Sequence, residues 1–68
     1  MAVTEQKRRE IADMAKRHYE IKGSPEKACV EMILSYPNRV EMAFGCYIIG
    51  ILHSESIKQA IARKWEDT

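Results

Sequence analysis

Apolar residues recur three and four positions apart along most of the chain, the spacing of one helical face, and nowhere alternate as a half-buried strand requires. The first such stretch predicts a helix over 4–22. Ile11, Met14, Ala15, His18, Tyr19 and Lys22 form one stripe, while Glu5, Arg9, Asp13 and Arg17 alternate in sign on the other side, as on a solvated face. Lys16 precedes Glu20 at pairing distance. Thr4 is placed to cap the helix and Glu5 suits its first turn. Gly23-Ser24-Pro25 then supplies, in order, a left-handed stop, an N-cap and a first helical residue whose missing N–H costs nothing.

A second helix is predicted over 25–35, with Ala28, Cys29, Met32, Ile33 and Tyr36 on its apolar side, Val30 and Leu34 widening it, and Lys27 and Glu31 pairing outside. Tyr36-Pro37 ends it, because a residue before proline is pushed out of the helical region. Asn38 offers the next cap. The third helix, 39–52, contains Met42–Leu52, a run without a charge and apolar on every side. Ala43, Cys46 and Gly50 make a narrow small-residue side suited to close approach by another helix. Phe44, Tyr47, Ile48 and Ile51 make the bulky flank beside it, with Val40. Gly45 and Gly50 each sacrifice about 1 kcal/mol of helix propensity, which close packing must offset. A fourth helix, 55–65, follows a break or bend at His53-Ser54, with Ile57, Ala60, Ile61, Lys64 and Trp65 in its stripe and Ser56 and Gln59 as a capping box. Glu66 and Asp67 oppose the dipole of its last turn, which is expected to fray. The expectation is one all-α domain, a small bundle of three or four short helices.

Size sharpens this picture. A chain of 68 residues sits near the limit at which one core suffices. Covering a helix apolar all round is easier with a second protomer, so a homodimer is expected. With 46% hydrophobic and 31% charged residues the chain is neither disordered nor membranous. As a helix the uncharged run is about 16 Å long against roughly 30 Å of bilayer hydrocarbon, so no membrane association is expected. Two cysteines inside apolar runs, and no charged-then-apolar leader, point to the cytoplasm.

Candidate chemistry changes little. Cys46 and His53 lie seven positions apart, outside zinc-ligand spacing, and no nucleophile elbow, phosphate loop or orienting acid is present. No catalytic residue, metal or cofactor is expected; His18 reads as a half-buried histidine on an apolar edge, with one nitrogen satisfied. Net charge is +1, low for a dedicated nucleic-acid binder. The expected function is therefore that of a small regulatory protein, of the kind found among phage- and accessory-element-encoded regulators, which binds and inhibits a larger protein. Tyr19, Tyr36, Ala43, Phe44, Cys46, Tyr47, Gly50 and Trp65 are its expected dimer or target contacts, aromatic residues being common at binding hot spots. Exposed parts of the first and last helices are expected to meet the target. The alternative is a helix-turn-helix DNA binder contacting phosphates through Lys7, Arg8, Arg9, Lys58, Arg63 and Lys64.

Overall fold

A computed structural model describes residues 3–66, which form three helices: α1 (Glu5–Lys22), α2 (Pro25–Ser35) and α3 (Arg39–Glu66). No strand is present among the described residues. The boundaries follow the predicted punctuation. Thr4 Oγ1 accepts from the backbone N–H of Lys7 at 3.2 Å, and Gly23 closes α1 at φ 68, its N–H bonded to the Tyr19 carbonyl. Ser24 is extended and Pro25 opens α2, but the serine hydroxyl makes no capping bond. Asn38 Oδ1 accepts from Val40 N–H at 2.9 Å and Glu41 N–H at 3.2 Å, capping α3.

Each helix packs against both others. The core is small: Ile11 and Ala15 from α1, Ala28 and Met32 from α2, Tyr36 from the loop, and Ile49 from α3. Val3, Met14, Tyr19, Cys29, Met42, Phe44 and Ile48 pack around it, half-buried. Gly45 is the close-approach point. A Cβ there would stand 2.5 Å from Met32 Cε and 3.3 Å from Ile11 Cγ2.

Of the expected three or four helices the described residues form three, and residues 55–65, expected as a fourth, continue α3. α3 runs without interruption through His53 and Ser54, and Ser56 and Gln59 lie inside it rather than at a cap. No glycine or proline stands there to stop it, and the half-buried His53 is held on α1 by a 3.1 Å hydrogen bond between its Nδ1 and the Tyr19 hydroxyl. The helix reaches Glu66; Asp67 lies outside the described residues. At 28 residues α3 is about 42 Å long, and the molecule measures 48 × 22 × 14 Å. Its last 13 residues, Ser54–Glu66, are all exposed.

The inward side of α3 also differs from expectation. The row facing the core is Met42, Gly45 and Ile49, not the small side of Ala43, Cys46 and Gly50. The two rows are one residue out of register and both are apolar, so the sequence pattern could not choose between them. The core-facing row continues as Ser56, Gln59 and Arg63, turning polar where α1 and α2 no longer cover it. Glu31, expected to pair with Lys27, instead meets Lys22 at 3.6 Å and ties α2 to α1.

Candidate interaction surface

Among the described residues more large apolar side chains lie outside than in. Six residues make the core, whereas Ile21, Val30, Ile33, Leu34, Val40, Tyr47, Ile51, Ile57, Ile61 and Trp65 are all substantially exposed. They gather mainly on two faces. The outer side of α2 presents Val30, Ile33 and Leu34, with Leu34 73% exposed. Ile33 was expected on the packing side of α2 with Ala28, Cys29 and Met32; Ala28 and Met32 are buried and Cys29 half-buried there, whereas Ile33 is exposed.

The second face runs along the outer side of α3. Val40, Ala43, Tyr47, Gly50, Ser54, Ile57, Ile61 and Lys64 repeat at alternating intervals of three and four, and every one of them is exposed. That spacing is the a/d seam of a heptad repeat. Near its end Ile57, Ala60, Ile61, Lys64 and Trp65 line a shallow, open depression. Gly50 lies midway, and nothing stands within 4 Å of where its Cβ would be. Its cost to the helix is therefore not offset inside this chain.

The expected contact residues divide accordingly. Ala43, Tyr47, Gly50 and Trp65 are exposed on α3. Tyr36 is buried in the core, with Lys7 Nζ 5.8 Å from its ring centroid. Burial raises its phenol above the usual range, and the charges of Glu10 and Glu41 add to that against an opposing Lys7. Tyr19 and Phe44 are half-buried, Tyr19 meeting His53 edge to face. Cys46 is half-buried beside Cys29, across α2 and α3; burial and that thiol neighbour push Cys29 above the usual thiol range. His18 is half-buried as expected, but its Nε2 is buried without a hydrogen-bond partner. The exposed Ile57, Ile61, Val30 and Leu34 were not among the expected contacts, because aromatic residue type and the small side of the third helix directed that choice whereas position on the folded helices decides exposure.

The cations lie at two ends. Lys7, Arg8 and Arg9 occupy the start of α1, beside Tyr36 and the start of α3, whereas Lys58, Arg63 and Lys64 lie on the overhang. Between Arg39 and Arg63 the rise of α3 alone is about 36 Å. Acids interleave at both ends: Lys7 pairs with Glu10 at 3.5 Å, Arg9 with Glu5 at 3.0 Å, and Lys58 with Glu55 at 3.7 Å. Among the described residues no group of three or more His, Cys, Asp or Glu could hold a metal ion. No helix among them is long and apolar enough to cross a membrane.

Comparison with known proteins places the chain in no group: no protein-family model, no curated protein and no solved structure matches it.

Proposed function

We propose that this chain is a non-catalytic cytoplasmic regulator that binds a larger protein and inhibits it by covering part of its surface. One observation carries the reading: large apolar side chains are spent on two exposed faces while the core is built from six residues. Contiguous exposed apolar surface on a small protein marks an interaction site. The overhang sharpens the point, because its core-facing row is polar and only its outer row is apolar. An isolated solvated helix has no need of Ile57, Ile61 and Trp65 on one side. Cys29 and Cys46 serve as packing residues, which suits a reducing compartment. The cations, divided between opposite ends and interleaved with acids, favour a protein partner over duplex DNA.

The test is affinity capture from the source cell with mass spectrometry, comparing the native chain with Val30→Asp/Leu34→Asp and with Ile57→Glu/Ile61→Glu. A protein captured by the native chain, lost with one of these pairs, and reduced in its own activity by the native chain supports the reading. Capture unaffected by both pairs, or absent throughout, overturns it.

A further inference from the structure

We propose that the outer face of α3 is a self-association seam, on which two copies of this chain pair antiparallel with the overhang of each lying along the body of the other. The proposal rests on the reading of the chain as an interaction protein and assigns one of its two faces to a second copy. α3 is divided almost evenly at His53: Arg39–His53 lies on the body and Ser54–Glu66 projects beyond it. The seam crosses that division without losing its three-four spacing, so both halves need cover along one line. A second α3 laid antiparallel, with the two-fold axis at the level of Leu52, covers both halves at once.

The residues that then meet are complementary. Gly50 falls opposite Ser54, Tyr47 opposite Ile57, Ala43 opposite Ile61, and Val40 opposite the stem of Lys64. Two small positions meet near the axis, where the helix backbones come closest, and a large residue meets a smaller one or a flat ring elsewhere. This assigns a purpose to Gly50, whose Cβ position faces open space in the single chain. A parallel pair is poorer, since it stacks Gly50 on Gly50 and Ser54 on Ser54 and sets Lys64 against Lys64.

Tyr47 leaves 64% of its surface open, and Val40, Ile57 and Ile61 between 47% and 52%; beside the seam, Trp65 leaves 77% and Ile51 43%. With aromatic side chains at roughly 150–250 Å² each, seam and flank together offer at most about 600 Å² per chain, about 1,200 Å² in all, the lower edge of stable specific interfaces and the range of a dimer that forms at high concentration. A crossing of long helices by three-four packing is also the geometry of left-handed coiled coils. Val30, Ile33 and Leu34 on α2 remain outside the seam, available to the larger target.

Sedimentation equilibrium of the full chain tests the pairing. The native protein, 7.9 kDa per chain, is expected to sediment as a dimer at about 100 μM. Ile61→Glu and Gly50→Leu are each expected to shift it to monomer, with the helical circular dichroism of the body retained because both sites are solvent-facing. A folded native monomer at that concentration, or a dimer that survives both substitutions, overturns the proposal. Orientation is read by a short bismaleimide: a mixture of Ala43→Cys and Ile61→Cys chains is expected to cross-link one to the other above the background of the native cysteines. Cross-linking of Ala43→Cys only to itself overturns the antiparallel arrangement. A native monomer that still captures and inhibits a target, through the α2 face, removes the seam and leaves the regulatory reading standing.

Discussion

Two glycines of one helix carry opposite meanings, and substitution separates them. At Gly45 a methyl group would stand 2.5 Å from the terminal methyl of Met32 and 3.3 Å from Ile11 Cγ2, so the flexible end of Met32 must shift within a fully buried site and Ile11 must give slightly. Overpacking costs about 1–3 kcal/mol, against about 1 kcal/mol regained in helix propensity. Gly45→Ala is therefore expected to lower stability by about 1 kcal/mol in urea unfolding, and Gly45→Val by more. At Gly50 nothing stands in the way, so Gly50→Ala should raise stability by about 1 kcal/mol at concentrations low enough to keep the chain monomeric. Equal effects at the two sites would refute this placement of α3. Tyr19→Phe removes the bond to His53 Nδ1 and is expected to cost about 0.5–1.5 kcal/mol.

At the scale of the element, α3 is one helix with two environments. Its first half is held by the core row of Met42, Gly45 and Ile49; its second half is held within the chain by its own backbone bonds and by local pairs such as Glu55 with Lys58. Perturbations should separate in the same way. Ile49→Ala, at a fully buried site, is expected to cost about 2–5 kcal/mol, enough to unfold much of so small a domain. Gln59→Pro breaks the ladder only in the overhang, so helical signal should fall while the urea midpoint of the monomer moves by less than about 1 kcal/mol in equivalent stability. A large shift of that midpoint would mean that the overhang is packed on the body.

At the scale of the molecule, the titration of two core-associated acids sets a high-pH limit on the fold. Cys29, raised first by burial and then by Cys46, and Tyr36, raised first by burial and then by Glu10, both stay neutral in the native state beyond their ordinary range. The unfolded chain releases these protons first. Their stabilising contribution is therefore complete below the unfolded values, about 8.5 for a thiol and 10 for a phenol, and is lost as pH rises from there through the folded ones. Urea midpoints should decline as pH rises above the ordinary thiol range and further above the ordinary phenol range, with Cys29→Ser flattening the earlier part of the decline and Tyr36→Phe the later. A decline unchanged in both variants would locate its cause elsewhere.

Helix content, turn chemistry and caps were legible in the chain because they depend on neighbours within four residues. Thr4, Gly23, Pro25 and Asn38 act where their types and spacings place them, apart from the unmade Ser24 cap. The faces of α1 were equally legible, since its apolar residues apart from Ile21 gather on one side. The rotation of α3 and its continuity past His53 were not. Met42–Leu52 is apolar all round, so Gly45 and Gly50 look alike along the chain, and only packing against Ile11 and Met32 chooses which one turns inward. The absence of a fourth helix among the described residues likewise follows from distance: α1 ends and α2 begins near His53, so nothing beyond it draws the chain back. That local patterns declare helices, while relative burial depends on residues tens of positions apart, is why the elements could be read in advance and the exposed seam of α3 could not.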